Sequence, residues 1–152
     1  MRMNYFSASP AGLKAMLDLQ NHVHQAAKVG ELGEGLLTLV YTRVSQINGC
    51  AYCIDMHTKD ARKAGETEQR LYALSAWRET PFYTPRECAA LAWAEANTLI
   101  AGNGIDTALY EATREHFSEK GMADLTLAIC TINAWNRLAI SFAADVGSYQ
   151  PS

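Results

Sequence analysis

The chain has 152 residues, 49% of them apolar and 19% charged: enough for one buried core without disulfides or metals, and too apolar for a disordered segment. Its formal net charge of −3 argues against nucleic acid or an anionic membrane as the main partner, and it contains no run of ~18 apolar residues to span a bilayer. The start, MRMNYFSASPAGLKAML, lacks the continuous apolar segment of a secretory signal, so a cytoplasmic protein with resting thiols is expected.

The readable signals are helical throughout. Pro10 fits the first turn of a helix carrying Leu13, Met16 and Leu17, which fades at Gly30. Leu36, Leu37, Val40, Val44 and Ile47 follow at helical spacing, and Gly49 is a natural residue just past a helix end. A third helix is predicted from about Cys50 to Ala64, with Gly65 as its stop. A short fourth, opened by Thr67, carries Leu71, Leu74 and Trp77 before Pro81. The segment TPRE, Thr84 to Glu87, is a capping box with proline at the first helical position; its helix runs to about Ile100, where Gly102 and Gly104 break it. Asp106 opens a sixth helix to about Ser118. The last, roughly Ala123 to Val146, is apolar around much of its circumference, as expected for a helix buried in the core or in a subunit contact. No alternating strand pattern, linker or repeat is visible. The expectation is one all-α domain over 1–152, a bundle of about six to seven helices.

The chemistry concentrates in SQINGCAYCIDMHTKDARKAG, which holds Cys50, Cys53 and His57. On a helix, Cys53 lies about 60° from Cys50 and His57 about 20° from Cys50 on the same side. All three then share one face near a helix N-terminus, where free N–H groups and the positive dipole end favour a thiolate. A structural zinc site wants a second tight ligand pair, but Cys88, Cys130, His22, His24 and His116 are scattered singly. Haem attachment wants a histidine directly after the second cysteine, where Ile54 stands, and a thioredoxin-like domain wants flanking strands. Two buried cysteines acting as small hydrophobes are the plain alternative. The polar neighbours Ser45, Gln46, Asn48 and Asp55 and the aligned His57 favour a redox-active pair over it.

The stretch RVSQINGCAYCIDMHTKDARKAG resembles the core motif of the alkylhydroperoxidase D / carboxymuconolactone decarboxylase family, in the branch carrying C-x-x-C-x-x-x-H. The likeness runs over residues 36–100 and includes the capped helix of FYTPRECAALAWAEANTLI; the rest matches only as generic helices. The resemblance implies an alkylhydroperoxidase D-like fold and a thiol peroxidase acting on alkyl hydroperoxides or hydrogen peroxide. Cys53 is then the peroxidatic thiol, Cys50 the resolving one and His57 the base of a proton relay. It also implies regeneration by an external dithiol or a lipoyl-type protein, no required metal or haem, and assembly into trimers, hexamers or larger rings. A disulfide oxidoreductase and a non-redox lyase of the decarboxylase type are the alternatives on the same fold.

The family's glutamate twelve residues before the first cysteine is replaced here by Thr38, which cannot hold a negative charge. Thr38, Thr42 and Ser45 form a hydroxyl stripe, read either as an exposed face or as a hydrogen-bond path. Glu95 shares an inward stripe with Leu91 and Leu99, and a buried carboxylate needs a partner. Glu95 is therefore the candidate relay carboxylate for His57, against the alternative of a core glutamate paired with Arg43 or Arg137. Asp60, one turn beyond His57, is its nearest rival; Glu31 and Glu34 read as solvated, and Glu87 is explained by capping. Tyr41, Tyr52, Tyr83 and Trp93 could line a pocket, although aromatics at helical spacing are more often core.

Overall fold

Most helix signals in the sequence become helix ends in the structure. The computed structural model describes residues 1–151, apart from the side chain of Asn103. Among the described residues it holds α-helices, one 3-10 segment and no strand. The helices are α1 (Tyr5–Ala8), α2 (Pro10–Val29), α3 (Glu34–Asn48), α4 (Ala51–Lys63), α5 (Glu68–Ala73), α6 (Pro85–Thr98), α7 (Ile100–Asn103), α8 (Thr107–Arg114) and α9 (Glu119–Ser141); the 3-10 segment, Leu74–Glu79, continues α5. The two helices beyond those expected, α1 and α7, are single turns of 4 residues each.

The caps behave as their chemistry requires. Thr67 accepts from the Arg70 N–H, Asp106 from the Leu109 N–H, and Thr84 and Glu87 close both halves of a capping box. The last helix starts earlier than its apolar pattern suggests. Ser118 is its N-cap, accepting from the Gly121 N–H at 3.0 Å, and the Glu31 carboxylate in turn accepts from the Ser118 N–H at 3.0 Å. Glu31 is thus not merely solvated; it ties the α2–α3 connection to the start of α9. For the same reason α8 ends at Arg114 rather than at Ser118. At its other end α9 stops at Ser141, where the chain turns through Ala143 at φ 51°.

α3 is the central element, packed against α4, α6 and α9. Val40 and Val44 join Ala90, Ala94, Leu125, Ile129 and Ile132 in the main core, while Leu39 turns to a second cluster with Leu71, Leu74, Trp77 and Leu91. Side chains buried to this degree contribute about 1.5–3 kcal/mol each relative to exposure, so packing rather than helix propensity holds α3 in place. α9 buries one face against α3 and leaves Leu127, Cys130 and Ile140 exposed on its outer side.

Candidate active site

The thiol pair is positioned by the turn between α3 and α4. Gly49 takes a left-handed conformation at φ 68°, its N–H returning to the Gln46 and Ser45 carbonyls, and this ends α3. Cys50 follows as the N-cap of α4, so Cys53 falls in the first turn, where backbone N–H groups are unpaired by the helix itself. The Cys53 N–H donates to Cys50 Sγ at 3.4 Å. The two sulfurs lie at disulfide distance, with Cα atoms 5.3 Å apart, inside the range a disulfide spans. Cys50 is 1% and Cys53 2% exposed. A buried network holds this turn to α9: Asn48 Nδ2 donates to Asn136 Oδ1 at 2.8 Å, and Asn136 Nδ2 donates to Ser45 Oγ at 3.1 Å.

One turn beyond Cys53, His57 is 9% exposed and stands against the Tyr41 ring, with centroids 5.1 Å apart. Burial, reinforced by the nearby His24, lowers its pKa to about 4, so the imidazole is neutral at physiological pH. His57 Nε2 is buried without a hydrogen-bond partner among the described residues. It faces a cavity of about 460 Å³, whose wall also carries Cys53, Tyr41, His24, Thr38, Asp60 and Trp135. Cys50 is not on that wall. Tyr5 and Phe6 of α1 and Tyr149 near the C-terminus also line the cavity. Tyr149 Oη donates to Asp60 Oδ1 at 2.7 Å, and Lys59 Nζ donates to the Tyr149 carbonyl at 3.0 Å, which fixes the tail against α4.

The structure brings Cys50, Cys53 and His57 together but does not bring Glu95 to them. Glu95 accepts from Arg43 Nε at 2.8 Å, from Trp77 Nε1 at 2.9 Å, and from the Arg78 guanidinium. Burial alone would raise its pKa; the hydrogen bonds from Arg78, Trp77 and Arg43 outweigh that and hold the carboxyl below its usual range. The expectation of a Glu95–His57 relay gives way to the alternative, a carboxylate paired with Arg43. The stripe is inward only in part: Leu91 is buried and the Glu95 side chain largely so, but Leu99, at the C-cap of α6, is exposed. The partner Glu95 meets is set by α3 and the 3-10 segment. The hydroxyl stripe is not an exposed face either. Thr42 and Ser45 are buried; Thr38 donates to the Glu34 carbonyl and Thr42 to the Thr38 carbonyl, so both hydroxyls are spent on their own helix.

Of the carboxylates considered, Asp60 and Glu34 reach the cavity wall. Of the aromatics, Tyr41 and Tyr52 line it, while Trp93 packs in the main core and Tyr83 in the second cluster. Sequence reasoning missed Trp135, His24 and Asn136. The motif INAWNRL offered one signal, since asparagines three apart on an apolar helix call for partners.

Comparison with known proteins places this geometry in context. Residues 10–96 match the model of the carboxymuconolactone decarboxylase family. The uncharacterized protein YdfG of Bacillus subtilis (strain 168) is 46% identical over 147 residues, 97% of each chain. The crystal structure of ATU0492 from Agrobacterium tumefaciens, a protein of unknown function proposed to be the antioxidant defence protein AhpD, superposes with a TM-score of 0.90 at 40% identity, covering 97% of this chain and 99% of that one. The debrominase Bmp8 shares the fold alone, with a TM-score of 0.81 at 20% identity over 94% of this chain and 75% of its own.

Proposed function

This chain belongs to the alkylhydroperoxidase D-like, carboxymuconolactone decarboxylase family, and on that premise we propose that it is a thiol-dependent peroxidase using Cys50 and Cys53. One observation carries the reading: the two sulfurs meet at disulfide distance while only Cys53 is on the wall of the cavity that His57 faces. Cys53 sits in the first turn of α4, where the helix N-terminus stabilises its thiolate, and is the peroxidatic thiol. Its sulfur attacks the distal peroxide oxygen; the S–O bond forms as the O–O bond breaks. The proton released by the thiol passes by way of His57 to the departing oxygen, giving an alcohol or water. Cys50 then attacks the sulfenic acid, expelling the hydroxyl as water and closing the disulfide.

An external dithiol restores the pair by exchange. Both sulfurs are buried, which favours a slender reductant entering the cavity, such as a lipoyl arm, over a thiol embedded in a folded surface. The same burial weighs against a general disulfide oxidoreductase acting on protein thiols. Turnover with hydrogen peroxide, tert-butyl hydroperoxide and cumene hydroperoxide, each with dithiothreitol and dihydrolipoamide, tests the reading. Loss of two thiols per equivalent of peroxide supports it; retention of all thiols overturns it.

A further inference from the structure

Two buried hydrogen-bond donors on the cavity wall have no part in the thiol exchange itself. They are the Tyr41 hydroxyl and the Trp135 indole N–H, both without a partner among the described residues. A buried polar group left unpaired costs about 1–3 kcal/mol, so a fold retains one where a ligand completes it. The other two tryptophans make the contrast: Trp77 Nε1 donates to Glu95 at 2.9 Å and Trp93 Nε1 to Thr126 Oγ1 at 3.0 Å.

The two donors reach the cavity wall that carries Cys53 from different helices. Tyr41, on α3, leans on the His57 ring. Trp135, on α9, stands one helical turn before Ala139, and Ala139 packs against Cys50 and Cys53. Burial raises the Tyr41 pKa well above that of a free tyrosine, which keeps its proton in place for donation. Phe6, Leu37, Met56 and Ile132 supply apolar wall to the same cavity.

We propose that Tyr41 and Trp135 form the oxygen-binding wall of the site, both donating to the oxygen that leaves when Cys53 opens a peroxide, with the substrate's apolar body against the surrounding side chains. The reaction assigned to them rests on the peroxidase reading; the binding does not. As the O–O bond breaks, charge grows on the oxygen bearing the organic group. The two donors stabilise it without losing their protons, and the proton that neutralises it is the one the thiol gave up. Donors already in place for a developing oxyanion act without reorganisation, and each removed donor typically costs about 10²–10³ in rate.

The test uses the disulfide form and 2-phenyl-2-propanol, the non-reacting alcohol product of cumene hydroperoxide, followed by NMR of the three tryptophan indole N–H signals. The signal absent in Trp135→Phe is expected to shift on titration while those of Trp77 and Trp93 stay; no shift at that signal overturns the proposal. In the reduced enzyme, Tyr41→Phe and Trp135→Phe are expected to slow Cys53 oxidation by cumene hydroperoxide about 10²-fold. Their rate of alkylation by iodoacetamide should stay at the wild-type value. Parallel loss of both rates would mean that these side chains act through the thiol, and would overturn the role. An indole shift in a protein that consumes no peroxide would leave the oxygen-binding wall standing and end the peroxidase reading.

Discussion

Tyr41 and His57 stand ring against ring at 5.1 Å and 57°, and neither the phenol oxygen nor imidazole Nε2 has a partner among the described residues. An imidazole held this way stays neutral, because burial, with His24 nearby, disfavours its charged form. It accepts a hydrogen bond readily, but holding a full proton is costly. In the peroxidase proposed above, Cys53 would therefore lean on the N-terminus of α4 for thiolate stability, with His57 conveying the proton rather than storing it.

Replacing either cysteine separates their roles. Cys53→Ser is expected to abolish peroxide consumption. Cys50→Ser should leave a Cys53 that reaches the sulfenic acid and then over-oxidises, seen by intact-mass spectrometry as additions of oxygen. Equal steady-state activity in both variants would contradict the assignment.

Acid should destabilise the protein through His57. Its folded pKa of about 4 lies below the unfolded value of 6.5. The unfolded chain therefore binds a proton that the folded one refuses. This stability is fully present above pH 6.5 and is lost as the pH falls towards 4, by about 3 kcal/mol across that window. Chemical denaturation of wild type and His57→Leu at pH 7 and pH 4.5 isolates the effect. Other groups around the cavity, His24, Tyr41, Asp60 and Glu34, are common to both proteins. The pH dependence should be flatter in the variant; equal slopes would refute the linkage.

Thr38→Glu restores a carboxylate on the cavity wall that His57 faces. An opposite charge there should raise the His57 pKa above its present value and speed Cys53 oxidation, at some cost in stability from a second partly buried charge. Titration of the His57 ring by NMR checks the first, and stopped-flow oxidation the second. An unshifted pKa would show that the introduced carboxylate does not reach the ring.

Glu95→Gln should damage the fold and spare the chemistry. It leaves the half-buried Arg43 without its counter-charge, at an expected loss of about 1–3 kcal/mol by denaturant unfolding. The rate constant for Cys53 oxidation should stay within about twofold of wild type. A drop of about 10²-fold in a folded variant would reinstate Glu95 in proton transfer.

A homo-oligomer is expected. α9 leaves Leu127 and Ile140 exposed alongside Cys130, an apolar outer side that a single copy does not cover. Light scattering should give a multiple of the chain mass at micromolar concentration, reduced by Leu127→Glu. A monomeric mass for wild type would contradict it.

What the sequence determined by itself was local. Helix starts at Thr67, Thr84 and Asp106, the stop at Gly49 and the shared face of Cys53 and His57 depend on contacts a few residues apart, and the structure has each of them. Cys50 sits at the N-cap against Cys53 but off the cavity wall. Resemblance over residues 36–100 added the family. The tertiary structure decided what required knowing which helix lies opposite. Glu95 is largely buried, although Leu99 of its stripe is exposed, and whether it met His57 or Arg43 depended on how α6 crosses α3. Trp135 and His24 became part of the cavity only because α9 and α2 close around α3, bringing side chains far apart in sequence to one wall. Helical periodicity fixes the face a residue occupies; the partner across that face is set by packing between elements, which no local pattern encodes.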